Sequence, residues 1–186
     1  YEDGYKYTLS LGKATIISYV GSDTDLTVPS TLNGKPVVRI ESSAFAHDNN
    51  LCSVTLPDTI TSMGVSVFAQ CENLKSVHYP EGLDRIYCRT FASCHSLTKV
   101  NISSNIKIIE GSAFAGCTSL TYLDLPKVQR TGESSFANCT SLTEIVFHKG
   151  FTYVDSATFR NCTNLQNVTL PVGTQTISYS AFEGCK

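Results

Sequence analysis

The sequence has little charge and no excess of basic residues. Charged side chains make up 16% of the 186 residues, and the formal net charge is −2 with a pI near 6.1. Nucleic acids and anionic membrane surfaces are bound through basic patches, so we expect no nucleic acid partner and no binding to such a membrane. No apolar run approaches the roughly 20 residues that cross a bilayer, so we expect no membrane insertion in this segment.

The sequence also lacks the common catalytic signatures. It contains no G-x-S-x-G, no H-E-x-x-H and no glycine-rich phosphate loop. Its histidines do not share one place in the repeat described below, so they imply no common site; they are His47, His78, His95 and His148. We therefore expect neither an enzymatic activity nor a cofactor.

What the sequence does have is a regular repeat marked by phenylalanine. Successive members of the series are 23, 23, 23, 22, 23 and 23 residues apart. They are Phe45, Phe68, Phe91, Phe114, Phe136, Phe159 and Phe182. Such spacing is typical of a solenoid in which each repeat forms one coil.

Each coil contains one pattern typical of a short β-strand. The pattern is L-x-x-h-x-h, where h is apolar, and it begins at Leu51, Leu74, Leu97, Leu120, Leu142 and Leu165. Its last residues alternate between apolar and polar, as in a strand with one buried side. We predict little helix and one parallel strand per coil, near residues 54–56, 77–79, 100–102, 123–125, 145–147 and 168–170. Because one coil buries too little apolar surface to fold alone, the coils must stack.

One coil departs from the repeat. The interval from Phe114 to Phe136 is one residue short. In all the remaining coils an apolar residue lies five positions before the phenylalanine, but in this coil Thr131 takes that place. We expect a local irregularity on the convex side of the solenoid at this coil.

Six of the eight cysteines form a column three residues after the phenylalanines. They are Cys71, Cys94, Cys117, Cys139, Cys162 and Cys185, whereas Cys52 and Cys88 lie outside the column. Parallel Cβ vectors disfavour disulfides between neighbouring coils, and a straight row of thiols is a poor tetrahedral metal site. We interpret the column as reduced, buried thiols that pack as small apolar side chains. Disulfides and a bound metal are the alternatives.

The N-terminal residues do not follow the repeat. YKYTLS and ATIISY flank Leu11, Gly12 and Lys13 and predict a β-hairpin that covers one end of the core. Residues 26–29 resemble a degenerate first strand, and residues 33–36 read as a loop. We predict a cap over residues 1–35 and an array of about six 23-residue repeats over residues 36–186. The chain stops within a repeat, so we expect the array to be truncated at its C-terminus.

The string A-F-x-x-C-x-x-L, repeated with h-x-L-P, resembles the BspA-type leucine-rich-repeat family of bacterial and protist surface proteins. The best matches are SAFAGCTSLTYLDLP at 112–126 and SSFANCTSLTEIVF at 134–147. The general leucine-rich consensus has Asn or Cys three residues after the last strand leucine, but Thr59 and its equivalents stand there. The asparagine ladder is therefore absent, as in the resembled family. The resemblance implies a right-handed, β-rich leucine-rich-repeat superhelix with short parallel strands on its concave face.

The resemblance also implies a function. Members of the family are associated with binding to host proteins or to other cells. We therefore expect an extracellular or cell-surface adhesion module whose partner is a matrix protein, a cell-surface protein or a glycan. The alternative is a structural stalk that positions another domain of a longer surface protein, and the flanking gene sequence would distinguish the two.

The alternation of the strands predicts where a partner would bind. Outward side chains form two columns on the concave sheet, and the centre of these columns combines an aromatic residue with both signs of charge. The candidate binding residues are Tyr122, Lys99, Asp124, Glu144, His78 and Asn101. Interfaces favour such a centre, although each residue alone could be an ordinary solvated sheet residue.

Overall fold

A computed structural model describes residues 1–186 as strands and turns, without an α-helix. The strands are β1 (Tyr5–Ser10), β2 (Lys13–Tyr19), β3 (Asp25–Thr27), β4 (Thr31–Leu32), β5 (Lys35–Ile40), β6 (Ser53–Thr55), β7 (Ser62–Met63), β8 (Ser76–His78), β9 (Arg85–Ile86), β10 (Lys99–Asn101), β11 (Ile108–Ile109), β12 (Tyr122–Leu125), β13 (Arg130–Thr131), β14 (Glu144–Phe147), β15 (Tyr153–Val154), β16 (Asn167–Thr169) and β17 (Thr176–Ile177). The prediction of a β-rich solenoid with little helix is confirmed.

The predicted strand of each coil is present. Strands β3, β6, β8, β10, β12, β14 and β16 occur once per coil, and we call this series the front ladder; it corresponds to the predicted concave sheet. Its neighbours pair in parallel, with Val54 opposite Val77 and Val77 opposite Val100. Each strand begins one residue earlier than predicted, because the first outward residue of the coil already pairs with the neighbouring coil. Two front strands are extended at their C-terminal ends by the pair Leu125 and Phe147.

Each coil contains a second strand that the sequence did not predict. Strands β5, β7, β9, β11, β13, β15 and β17 form a parallel series, which we call the back ladder; β5 pairs with β7, and β9 to β17 form one continuous sheet, but β7 and β9 do not pair. The last residue of each strand is the position five before the phenylalanine. In the two-residue strands from β7 to β15 only that residue points into the core, as in the buried Ile86 and Ile109, so the sequence of these strands shows no alternation. The expectation of a single strand per coil was therefore wrong.

The N-terminal hairpin joins the back ladder. Strands β1 and β2 pair antiparallel, as predicted, and β2 pairs in parallel with β5. The predicted loop at residues 33–36 is instead the turn and the first residues of a second hairpin, formed by β4 and β5. Asn33 and Gly34 both have positive φ, the combination that a two-residue hairpin turn favours. Lys35 and Pro36 belong to β5.

The phenylalanine column forms the predicted continuous spine of the core. Ring centroids of successive phenylalanines are 5.2–5.9 Å apart along the whole series, and their planes are nearly parallel. All are buried except Phe182 in the last coil, which is half-buried. Backbone hydrogen bonds fix the register of the phenylalanines from one coil to the next. Phe91 N–H, for example, donates to the carbonyl of Ala113 in the next coil at 2.8 Å.

The short coil disturbs the front ladder more than the back one. Strand β13 pairs with both β11 and β15, and Thr131 is buried with its Oγ1 3.3 Å from that of Thr158. In the front ladder, by contrast, β10 and β12 do not pair, and the ladder splits into β10-β8-β6-β3 and β12-β14-β16. The irregularity expected behind this coil is present at Thr131, where Asp155 N–H donates to the side-chain Oγ1 at 3.5 Å and one pair of the ladder is lost, but the sequence did not predict the split of the front ladder.

The sequence shows where the missing residue lies. Thr131 follows Pro126 by five residues, whereas Met63 follows Pro57 by six, so the turn between β12 and β13 is the shortened segment. Because β13 keeps its place in the back ladder, the adjustment falls on β12. This strand keeps its partner β14 and loses β10.

Candidate functional site

The six candidate binding residues all lie on the front ladder. His78 is on β8, directly opposite Asn101 on β10. On the other side of the split, Tyr122 on β12 is opposite Glu144 on β14. Tyr122 is 49% exposed, and of the six only Glu144 is half-buried rather than exposed. The predicted outward orientation of these side chains is confirmed.

The split between β10 and β12 opens a groove on this face, which we call the β10–β12 groove. It has a volume of about 490 Å³ and is lined by residues 98–102 on one side and residues 121–124 on the other. Four of the six candidates line it, namely Lys99, Asn101, Tyr122 and Asp124. His78 and Glu144 lie one strand further out on either side and are not part of its lining.

The groove exists because backbone hydrogen bonds made at the other junctions are missing here. Thr98 N–H donates to the Lys75 carbonyl at 3.0 Å, and Thr143 N–H donates to the Thr121 carbonyl at 3.0 Å. Between these two junctions, the equivalent bond from Thr121 N–H to the Thr98 carbonyl is not formed.

The same interruption occurs at the C-terminal ends of the strands. Tyr79 N–H donates to the Asn101 carbonyl at 3.2 Å, one coil before the split. The equivalent bond from Ile102 N–H to the Asp124 carbonyl is absent. Both walls of the groove therefore carry backbone groups that lack a protein partner, which is unusual within a ladder.

The floor of the groove is the edge of the core. Val100 and Leu123 point inward, and they are 8% and 5% exposed. Their counterparts in paired strands, Val77 and Ile145, are 1% and 0% exposed. The gap thus admits solvent to apolar side chains that the ladder covers elsewhere.

The opening is confined to the front of the solenoid. At the same coil junction, Lys107 N–H donates to the Asp84 carbonyl at 2.7 Å on the back side. In the spine, Phe91 and Phe114 stack with their centroids 5.3 Å apart. The walls of the groove are therefore held in place by an intact junction behind them.

The rim of the groove carries both signs of charge. Lys99 on the β10 side makes no ion pair, and Glu144 beyond β12 makes none either. Asp124 is paired with the imidazole Nε2 of His148, which the sequence did not single out. His148 occupies the place that proline holds in four other coils. This exception to the repeat was the sequence feature that could have pointed to His148. Thr98, Thr121 and Ile102 were also missed, since backbone pairing leaves no mark on residue type.

A second cavity lies along the back ladder. It has a volume of about 340 Å³, and its lining includes Glu110, Arg130, Glu133, Tyr153 and Asp155. The Glu110 carboxylate already accepts hydrogen bonds from Cys88 N–H at 3.0 Å and from the Arg85 guanidinium at 3.3 Å. These contacts tie neighbouring coils together and give Glu110 a structural role.

The cysteine column forms a ladder of its own. Each thiol donates to the carbonyl of a phenylalanine in the preceding coil, as from Cys71 to Phe45 at 3.0 Å and from Cys117 to Phe91 at 3.1 Å. The same bond recurs at Cys94, Cys139, Cys162 and Cys185. The thiols are therefore hydrogen-bond donors as well as small apolar side chains, which the sequence interpretation did not foresee. These bonds link neighbouring coils along the column.

Burial raises the pKa of Cys71, Cys94 and Cys117 and keeps these thiols protonated. It raises the pKa of Cys71 to about 12 and raises the pKa of Cys117 further still. A protonated thiol is a poor nucleophile and a poor metal ligand, so the column is suited to a structural role. Nowhere in the chain do three His, Cys, Asp or Glu side chains converge as a metal site would require. Cys52 and Cys88 are half-buried.

Two parallel ladders of very short strands, wound around a spine of phenylalanine with a leucine and a cysteine in each coil, define a leucine-rich-repeat solenoid. Residues 38–139 and 84–186 match the BspA type leucine rich repeat region, with six copies. The chain belongs to this family.

Solved structures of bacterial leucine-rich-repeat proteins share the fold. The leucine-rich-repeat protein of T. pallidum is 26% identical with a TM-score of 0.67, covering 99% of this chain and 77% of its own. A leucine-rich-repeat protein from Bacteroides ovatus is 20% identical with a TM-score of 0.74, covering 92% of this chain and 53% of its own. The pneumococcal vaccine antigen PcpA is 17% identical with a TM-score of 0.50, covering 98% of this chain and 72% of its own. The chain thus spans about half of the Bacteroides ovatus protein.

No curated protein matches the chain. The structure contains no helix with the length and apolar character needed to cross a membrane.

Proposed function

We propose that the protein is an extracellular or cell-surface interaction module that binds a partner on its front ladder around Tyr122. The observation that carries this proposal is the groove itself, which gathers Lys99, Asn101, Tyr122 and Asp124 around the one break in the ladder. Membership of the BspA-type family and the fold shared with a vaccine antigen support a place at the cell surface. The partner is a matrix or cell-surface protein, or a glycan.

The rigidity of the site supports binding. Tyr122 is fixed on a strand that pairs with β14, so its ring is held in position before a partner arrives. A preorganised aromatic side chain loses little entropy on binding and offers a large contact area. Lys99 and Glu144, which have no ion partner within the protein, can orient a charged partner.

The chemistry of the site favours binding over catalysis. Asp124 and His148 form the one acid–base pair at the groove. No hydroxyl or thiol donates a hydrogen bond to His148, so the nucleophile of a catalytic triad has no counterpart here. Both residues are nearly half exposed, so the pair is open to water rather than enclosed in a dry site.

The role of Tyr122 is tested by truncation. Tyr122→Ala is expected to weaken binding by about 2 kcal/mol or more, roughly 30-fold in Kd, because it removes the central aromatic contact. The unfolding midpoint should hardly change, since the ring faces outward. Binding is measured by surface plasmon resonance against a panel of extracellular-matrix proteins and glycans.

The matched control is Tyr179→Ala, because Tyr179 is 86% exposed in the last coil and lies outside the groove. This variant should bind as the parent protein does. A partner that binds equally well after Tyr122, Lys99 and Glu144 are all replaced by alanine would exclude the proposed surface.

A further inference from the structure

We infer that the β10–β12 groove receives one extended polypeptide segment of the partner, which takes the place of a strand between β10 and β12. This inference rests on the proposed function and specifies how that surface recognises its partner. It follows from three features of the groove, namely its unpaired backbone, its apolar floor and its charged rim.

The unpaired backbone is the first feature. On the β10 wall, the Thr98 carbonyl and the Ile102 N–H lack the partners that their equivalents have in paired coils. On the β12 wall, Thr121 N–H and the Asp124 carbonyl likewise lack these partners. Each wall therefore offers one acceptor and one donor along its length. An extended peptide carries both groups on both of its edges, so it can pair with the two walls together.

The geometry of the walls also favours a peptide. Strands β10 and β12 run in the same direction as parts of one solenoid, and the intact back junction between β9 and β11 holds them side by side. Residues on a strand are spaced about 3.3 Å apart, so each wall offers its free groups at the spacing of another strand. A glycan has no matching row of amide and carbonyl groups.

The floor of the groove determines which side chains of the partner can point inward. Val100 and Leu123 line the bottom of the groove and are more exposed than their paired counterparts. A strand placed between them directs alternate side chains toward this floor. These side chains should be apolar, because they replace water over apolar surface.

The charged rim of the groove determines which outward side chains of the inserted segment are preferred. Lys99 stands on the β10 wall without an ion partner, while Asp124 and Glu144 lie on and beyond the β12 wall. Outward side chains of the inserted segment lie between these groups. A carboxylate toward Lys99 fits best, so the preferred segment alternates apolar residues with polar ones that include an acid.

A peptide copied from this chain has these properties and serves as the probe. Residues 142–147, Leu-Thr-Glu-Ile-Val-Phe, place the acid Glu144 on the outward side and Ile145 and Phe147 on the inward side, with Val146 as the one apolar outward residue; in the native protein β14 pairs with β12. The hexapeptide is synthesised with blocked ends and a fluorescein label, and its binding to the whole protein is followed by fluorescence anisotropy. A second version carries N-methyl groups on alternate backbone nitrogens, which removes backbone donors while keeping every side chain.

The expected result is saturable binding of the parent peptide and a loss of affinity of about tenfold or more for the N-methylated peptide, since two or more hydrogen bonds are lost. Thr121→Trp, which fills the groove from its β12 wall, should weaken binding of the parent peptide to a similar extent. Thr143→Trp is the matched control and should have no effect. Thr143 occupies the place equivalent to Thr121 at a closed junction, where its hydroxyl donates to the carbonyl of the preceding coil at 3.1 Å.

Three outcomes would overturn the inference. They are no saturable binding of the parent peptide, equal affinity for the N-methylated peptide, and equal effects of the two tryptophan variants. The peptide comparison uses the unaltered protein, so it is decisive even if Thr121→Trp fails to fold. If extracellular proteins or glycans bind in a manner that depends on Tyr122 while the peptide test fails, the proposed function stands and this inference does not. If neither binds, both fail.

Discussion

Phe114→Ala is expected to lower the free energy of unfolding by about 3–5 kcal/mol, the usual cost of removing a buried phenylalanine. The ring of Phe114 is fully buried and stacks on Phe91 and on Phe136, with centroids 5.3 Å away on both sides. Alanine would leave a cavity in the middle of the spine that the backbone bonds between coils prevent from closing. The loss is measured by denaturant unfolding followed by circular dichroism.

The same substitution in the last coil provides the control. Phe182 is half-buried and stacks only on Phe159, because no coil follows it in the structure. Phe182→Ala should therefore cost clearly less than Phe114→Ala. Equal losses at the two sites would contradict the account of the spine as a stack in which each ring is stabilised from both sides.

Gly64→Ala is expected to destabilise the protein by about 1–3 kcal/mol, the usual cost of overpacking. A Cβ at Gly64 would lie 2.3 Å from the backbone nitrogen and 2.6 Å from the Cα of Ser42 in the preceding coil. Its φ lies outside the left-handed region, so the expected loss comes from this contact alone. Two backbones would have to move apart where β5 and β7 pair, and thermal unfolding would report the loss.

Gly111→Ala is the matched control for this contact. Gly111 lies two residues after the back strand β11, whereas Gly64 directly follows β7, and the φ of both glycines is outside the left-handed region. The nearest atom to a Cβ there is the Glu133 carbonyl oxygen at 3.4 Å, an ordinary distance. Alanine at this position should be neutral or slightly stabilising, because it restricts the unfolded chain. A loss as large as that of Gly64→Ala would show that the close approach of the coils is not the cause.

The sequence predicts the front ladder and the spine well, because both rest on side-chain pattern. The alternation after Leu51 or Leu120 marks a strand with one buried side, and the regular spacing of phenylalanine places every ring at the same point of its coil. The back ladder was missed for the same physical reason. A two-residue strand such as Ile108–Ile109 has one inward residue and therefore no period to read.

The candidate site was predictable in part. Alternation alone places Tyr122 and Lys99 on the outer surface of the front ladder, where the structure has them. The groove between them was not predictable, because it depends on which ladder absorbs the missing residue of the short coil. The presence of Thr131 at an apolar position indicated an irregularity in the back ladder. Its strand nevertheless stays paired there, and its hydroxyl lies close to that of Thr158. The turn after Pro126 was the better signal.

The cysteine column shows a similar limit. Its spacing predicted buried thiols in a row, and the structure has them buried from Cys71 to Cys162. Their bonds to phenylalanine carbonyls depend on the distance between one coil and the next, which no single repeat encodes. The interpretation of the thiols as merely apolar therefore missed the hydrogen bonds that they donate between coils.

The central claim is that the front ladder is open between β10 and β12, and amide hydrogen exchange measured by NMR tests it most directly. Thr121 and Ile102 should exchange as unpaired amides, at least about 100-fold faster than Thr143 and Tyr79, whose amides occupy equivalent positions at closed junctions. Equal protection of all four amides would mean that the ladder is continuous, and the groove and the binding proposals built on it would be contradicted.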